Sequence, residues 1–430
     1  MSDDEANTNG EPMREELPTR RDCVKYGGAV LGGGLLAGCT GGGSAPTDAP
    51  DDADDTSGGD TGNGTPTATP TRTPEATATP DGAATDSGTA TPAQSYSVTM
   101  EPVGEVEFDA VPETVAPFTA DYIDMLVALG HGDAAESIWY RGRYKTLHYE
   151  QLDGVSVDLD GLTQLWNDGI SKEPFYEMDA DLHLIDPHAL TDWFQAWEQR
   201  DLEEVRDNVA PFLGNVVFRR TDSWHDYRYY SLYEAFEKVA AVFQERDRFE
   251  AIQSIHDDLV AEVQSRLPAP DERPNAALVF GGREPEEFTP YRLSGNGANK
   301  EHFHTLGLSD AFAGTGVDGL STSDTGTIDY ETLLEIDPDS LLIRYHREGL
   351  TRDQFEADVV EHMRDHPVGG ELTAVQDGRV FRGGPIYSGP LHNLFMVERY
   401  ATAYFPDEFA EDELFDRERV AGIVTEGVEG

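Results

Sequence analysis

Apolar positions after residue 230 keep helical spacing in two phases. Leu232, Phe236, Val239 and Phe243 recur every three or four residues, and Phe249, Ile252, Ile255, Leu259, Val263 and Leu267 do so on a second register. The polar run Glu245-Arg246-Asp247-Arg248 separates them, so the spacing predicts two helices with a break between. Ser231 and Glu234 form a capping-box pattern at the start, and Pro268 marks the far end. The second helix alone would be roughly 28 Å long at about 1.5 Å per residue, enough to carry the chain between two lobes.

Shorter apolar runs flank this region, and they repeat. EMDADLHLID at Glu177–Asp186 returns as EIDPDSLLIR at Glu335–Arg344, with glutamate, two aspartates, leucine and isoleucine in matching places. Each reads as a helix end, an acidic turn and a short buried strand. A second echo pairs Leu129-Gly130-His131-Gly132-Asp133-Ala134 with Leu306-Gly307-Leu308-Ser309-Asp310-Ala311, where an apolar helix stops at a glycine. The echoes come in the same order, and the roughly 335 residues after position 95 exceed what one core usually takes. The fold expected is α/β: two similar α/β lobes joined by a long linker helix, with a ligand cleft between them. Lobe 1 is placed at 96–230, the helical region at 231–267 and lobe 2 at 268–430.

The first 95 residues have a different texture. Val24 to Gly38 is a weakly apolar, glycine-rich run, too short to span a bilayer, preceded by Arg20-Arg21 and ended by Leu36-Ala37-Gly38-Cys39. It resembles a twin-arginine export signal closed by a lipobox, with Cys39 as the lipidated residue and 1–39 as the signal. Residues 40–95 are threonine, proline, glycine and aspartate with little to bury, which reads as a disordered linker. Cys23 and Cys39 are the only cysteines, which leaves no disulfide framework or thiolate metal site in the body.

Charge changes the picture further. With 83 acidic and 31 basic side chains, the formal net charge is -52, and lysine occurs only at positions 25, 145, 172, 238 and 300. Nucleic acid is excluded as a partner on electrostatic grounds. An acidic, lysine-poor, haloarchaeal-like surface suits molar salt, where the Debye length is roughly 3 Å and carboxylates scarcely repel one another. Desalting is therefore expected to unfold the protein. A thermal transition that stays put between molar and about 0.1 M salt would contradict this.

Taken in order, the motifs resemble those of the helix-linked substrate-binding lipoproteins of ABC importers, the class that takes up iron-siderophore complexes, haem and cobalamin. VPETVAPFTADYIDMLVALGHGD is similar to that family's opening strand and leucine-glycine helix end. The EMDADLHLID segment has Ala180 where the family favours proline, while Pro338 is present in the second copy. HPVGGELTAVQDGRVFRGGPIYSGP, with Glu371 to Pro390 as its core, is similar to the family's last-strand element. The resemblance implies a membrane-anchored, extracytoplasmic, monomeric binding protein. It further implies that the protein captures a ferric siderophore or related chelate and hands it to a permease, without catalysis and without a resident cofactor; cobalamin or haem in the same fold is the alternative.

In open α/β lobes, ligands lie beyond the carboxyl ends of the strands. The segments following the expected strands are rich in aromatic residues and arginine: Tyr140, Arg141, Arg143 and Tyr144; Trp224, Tyr227 and Arg228; Tyr291 and Arg292; Tyr345 and Arg347; and Tyr387. Aromatic faces grip a chelate, and the guanidinium fork pairs with its anionic oxygens. The competing reading of each arginine is a counterion for a neighbouring carboxylate. His225, His302, His304 and His346 carry metal-donor chemistry, but their spacing selects no site, and no metal is assigned. An exported hydrolase is disfavoured: the chain has no G-x-S-x-G elbow and no H-E-x-x-H. A surface sensor or adhesin would share the anchor without needing two similar lobes.

Overall fold

The computed structural model describes residues 95–194, 196–317, 326–344, 350–409 and 413–428. The expected export signal, Cys39 and all but the last residue of the expected linker lie outside these residues, as do Tyr345, His346 and Arg347. The body opens with a hairpin of β1 (Tyr96–Met100) and β2 (Gly104–Phe108). Its alternate residues Val98, Met100, Val106 and Phe108 turn inward, as a two-residue period requires.

Lobe 1 is built on short parallel strands. β3 (Val115–Pro117) pairs with β6 (Leu182–Leu184), and β4 (Ser137–Ile138) with β5 (Thr163–Gln164). Backbone bonds from Glu136 to Val115 (2.8 Å) and from Trp139 to Phe118 (2.7 Å) join the two pairs. His183 and Pro211 (2.9 Å) add residues 211–213 beyond β6. Lobe 2 holds the order β11 (Val380–Arg382), β10 (Leu341–Arg344), β7 (Asn275–Phe280), β8 (Thr289–Pro290), with β9 (Ser309–Asp310) also on β7. β7, β9, β10 and β11 run parallel, and β8 is antiparallel.

The sequence echoes are structural. Helices Glu173–Met178 and Tyr330–Ile336 both end on a left-handed aspartate, Asp179 (φ 48°) and Asp337 (φ 43°), and each is followed by a buried strand. Aspartate tolerates that conformation better than most side chains, which explains the acidic turn. The second aspartate of each copy ties down the lobe's first strand: Asp181 accepts from the Thr114 backbone (3.0 Å) and Asp339 from the Asn275 backbone (2.9 Å). Gly130 (φ 76°) and Gly307 (φ 67°) close their helices with the 6→1 bonds His131 to Leu126 and Leu308 to Phe303.

Between the lobes, helix Leu232–Phe243 starts in the expected capping box of Ser231 and Glu234. It stops at Gln244, whose φ of 57° breaks the register, and the chain resumes as the 21-residue helix Arg246–Arg266. At 1.5 Å per residue the latter is about 32 Å long. One apolar core runs from the hairpin through lobe 1, the linking helix and helix Pro390–Tyr404, and a second fills the other side of the lobe 2 sheet. No described helix is long and apolar enough to cross a membrane.

Candidate functional site between the lobes

The carboxyl ends of the lobe 1 strands each deliver an aromatic ring to one place. Phe118 follows β3, Trp139 follows β4, and Trp166 lies two residues beyond β5. Trp193 and Phe194 close the helix Pro187–Trp193 that follows β6. Phe118 stacks on Trp139 at 5.4 Å, Trp139 on Trp193 at 6.1 Å, and Phe194 meets Trp139 edge-on at 5.8 Å. Trp166 lies 5.4 Å from Phe194, and Trp224 5.6 Å from Trp193. Four of the five tryptophans thus form one half-buried cluster.

Two guanidinium groups cover it. Arg143 lies 4.8 Å over Trp139, and Arg219 4.9 Å over Trp193. Their electrostatic settings differ. Arg219 is held at 2.8 Å by both oxygens of Asp222, which also accepts from Trp193 Nε1 (3.1 Å). Arg143 pairs with no carboxylate among the described residues; its Nη1 donates to Tyr387 Oη of lobe 2 at 3.3 Å. Arg143 Nε and Trp139 Nε1 are buried donors without an acceptor among those residues. Buried donors are nearly always paired, so this corner calls for an acceptor-rich group.

The lobes also meet at Asp124, on helix Ala120–Ala128, whose carboxylate is 1% exposed. It accepts from the backbone of Leu391 (2.8 Å) and His392 (3.1 Å) at the start of helix Pro390–Tyr404, faces His148 Nε2 (3.2 Å), and takes the Tyr149 phenol. His148 stacks flat on His392 at 4.2 Å, and burial holds the His392 imidazole well below its ordinary pKa. Beside them lies a cavity of about 260 Å³, lined by Lys145 and Gln151 of lobe 1 and by Ile343, Arg382 and Arg399 of lobe 2.

Three residues earlier, Asp121 is fully buried, with Oδ2 unpartnered. Burial pushes its carboxyl up to about 6, against hydrogen bonds from Thr119 and the Tyr122 backbone. From pH 4 to 6 the folded state therefore keeps a proton that the unfolded chain has lost, so rising pH removes stability across that window. Asp121→Asn, which carries no charge, is expected to be more stable than the parent at pH 7.5 by about 1–3 kcal/mol, with the gain vanishing near pH 4. Urea unfolding of both proteins at the two pH values measures it.

Of the residues singled out from sequence, Arg143, Trp224 and Tyr387 belong to the cluster. Tyr140 is half-buried beside it, its ring over Gly142. Arg141 is committed to the Leu162 carbonyl (2.6 and 3.1 Å), and Tyr144 is buried against Tyr149 (2.5 Å). Tyr227 donates to Asp186 (2.5 Å). Arg228 is exposed on Glu234 (2.9 Å), with its guanidinium 4.5 Å over Tyr230, and Arg292 is held by Asp310 (2.7 Å), so both act as counterions. Tyr291 is buried in lobe 2, accepting from Asn299 (3.0 Å) beneath the Arg344 guanidinium. His225 is buried, and burial and Arg220 lower it to about 4. His302 is buried against Tyr400, and His304 faces the Leu293 carbonyl (2.9 Å). Among the described residues, no three His, Cys, Asp or Glu side chains are placed to hold a metal ion. Phe118, Trp139, Trp166, Trp193, Phe194 and Arg219 were not singled out, although the strand-end rule points at the first two.

The family model described as "Periplasmic binding protein" matches residues 115–387, well over half of the chain. The chain belongs to the periplasmic binding protein family. It is therefore a solute-binding protein of two-lobed α/β fold. No curated protein sequence matches it. Among solved structures, it resembles PiuA, the substrate-binding protein of an iron uptake ABC transporter from Streptococcus pneumoniae, with TM-score 0.53 and 14% identity over 72% of this chain and 99% of that one. It also resembles a periplasmic binding protein from Veillonella parvula (TM-score 0.52, 14%, 72% and 97%). The petrobactin-binding protein YclQ from Bacillus subtilis is a third (TM-score 0.50, 13%, 74% and 100%). At these identities the likeness is one of fold.

Proposed function

We propose that this periplasmic binding protein is the extracytoplasmic capture component of an ABC importer, taking a ferric siderophore or related anionic metal chelate into the interlobe cleft and delivering it to a permease. The observation that carries the reading is the tryptophan cluster under Arg143, with two buried donors, Arg143 Nε and Trp139 Nε1, lacking acceptors among the described residues. Rings supply flat apolar area for a bulky chelate, and an arginine that no described carboxylate pairs supplies the positive charge that its oxygens need. In a chain of net charge -52, a guanidinium between the lobes that no described carboxylate neutralises is a local exception to the prevailing field. The iron-uptake and petrobactin roles named for PiuA and YclQ favour the same cargo. The helix-linked subclass, the lipid anchor at Cys39, the twin-arginine route, the monomeric state and adaptation to high salt belong to this proposal. Binding, not turnover, is the work, and ligand preference for one lobe arrangement supplies any closure energy.

Because four tryptophans form the cluster, intrinsic fluorescence reports the site directly. Titration in multi-molar salt with a ferric siderophore, haemin, cobalamin and ferric citrate should show stoichiometric saturation by the siderophore at sub-micromolar concentration. Saturation by haemin or cobalamin alone would reassign the cargo. Silence from all four would favour a sensor or adhesin.

A further inference from the structure

The loop between β11 and helix Pro390–Tyr404 reads Gly383-Gly384-Pro385-Ile386-Tyr387-Ser388-Gly389. Its ends are fixed. The Gly383 N–H donates to the Ile343 carbonyl at 2.7 Å, and Gly389 backs so closely on Asp124 that a Cβ there would lie 2.4 Å from that side chain's own Cβ. Between them, no backbone group from Gly384 to Ser388 pairs with the backbone of another described residue, and Gly384 takes a φ of 78° that few other residues adopt. The segment is a largely buried strap tied at both ends, with no main-chain bond to another described residue in its middle.

That middle crosses into lobe 1. The Tyr387 ring meets Phe218 edge-on at 4.8 Å and Trp139 at 6.3 Å, its Oη accepts from Arg143 at 3.3 Å, and only 4% of the residue is exposed. A phenol supplied by the protein itself thus sits against the rings and the guanidinium that the proposed function assigns to the cargo. Tyr387 is packed into the edge of the large apolar core, but its polar anchorage is slight: one long hydrogen bond between a cation and a neutral oxygen, beside two edge-type ring contacts.

We infer that Tyr387 is a specificity gate, its phenol holding the place on Trp139, Phe218 and Arg143 that an aromatic, oxygen-bearing arm of the cargo takes when the Gly384–Ser388 strap swings out. The inference rests on the reading of the cleft as a chelate site. A gate that is closed most of the time lowers apparent affinity by the fraction of time it is open, so removing it tightens binding without adding a contact.

The test uses the full chain in multi-molar salt, with the ferric tris-catechol complex as the ring-bearing probe and ferric citrate as the ringless one. Tyr387→Ala is expected to tighten binding of the catechol complex by about tenfold and of ferric citrate by less. Tyr387→Phe, which keeps the ring and loses only the bond to Arg143, should gain severalfold. Independently of any chelate, Tyr387→Ala should raise acrylamide quenching of the tryptophans, while Tyr387→Phe should leave it near the parent value. Unchanged or weaker binding of the catechol complex by Tyr387→Ala overturns the gate and makes Tyr387 a contact or a bystander. If neither complex binds even the parent, the chelate reading fails, and the quenching comparison decides by itself whether Tyr387 covers the cluster.

Discussion

Asp124→Ala is expected to destabilise the protein by about 3–5 kcal/mol, read as a fall in the urea midpoint with little change in slope. The carboxylate serves four donors from two segments: two backbone N–H groups that open helix Pro390–Tyr404, and the His148 ring and the Tyr149 phenol. Removing it leaves the two backbone N–H groups and the His148 ring buried and unmet, at roughly 1–3 kcal/mol apiece before relaxation, while the Tyr149 phenol keeps Tyr144. It also deletes a negative charge from a helix N-terminus. Water entering from the neighbouring cavity offsets part of the sum, which is why the expected loss is below the simple total. Asp124→Asn, with one acceptor oxygen and no charge, should lose about half as much. Gly389→Ala should behave like Asp124→Ala for a steric reason, since its Cβ would lie 2.5 Å from the Asp124 carboxylate and 2.8 Å from the Asp121 carbonyl. A loss under about 1 kcal/mol for Asp124→Ala would mean that water satisfies the junction unaided.

The same contrast shows what a linear reading can reach. The paired aspartates Asp179 and Asp337, the glycines Gly130 and Gly307, and the capping box at Ser231 and Glu234 each act within a few residues of their own position. Their signals survive in the sequence, and the two lobes and the interlobe helix follow from them. Asp124 does not act locally. Its partners at Tyr149 and Leu391 lie 25 and 267 residues away, and nothing in a chain with 83 acids distinguishes it from the rest. The aromatic cluster was half legible for a similar reason. Lobe 1 strands only two or three residues long carry almost no periodic signal, so the strand ends at Phe118, Trp139 and Trp166 were hard to locate. The richest aromatic and arginine segments drew attention to Arg228 and Tyr227, whose partners are set by where Glu234 and Asp186 fold.

That sorting of arginines gives the largest expected effect on binding. Arg143→Ala should weaken the chelate that saturates the parent by about 10- to 100-fold, on the order of 1.4–2.8 kcal/mol. Arg143 is the guanidinium over the rings that no described carboxylate neutralises, so its charge is available to an anionic ligand rather than already spent. Arg143→Lys keeps the charge but loses the fork and the flat contact with Trp139, and should recover only part of the loss. Arg228→Ala and Arg292→Ala should leave affinity within about twofold, because each guanidinium is already neutralised in an ion pair, with Glu234 or Asp310. Arg219→Ala should fall between, since it frees the Asp222 carboxylate beside Trp193 and so adds a repulsive charge as well as removing a cation. The effects of Arg143 and Tyr387 should not add. Without the guanidinium the phenol loses its hydrogen bond to Arg143, so Tyr387→Ala in the Arg143→Ala background should tighten binding less than it does in the parent. Equal tightening in both backgrounds would mean that Arg143 holds the cargo without holding the gate.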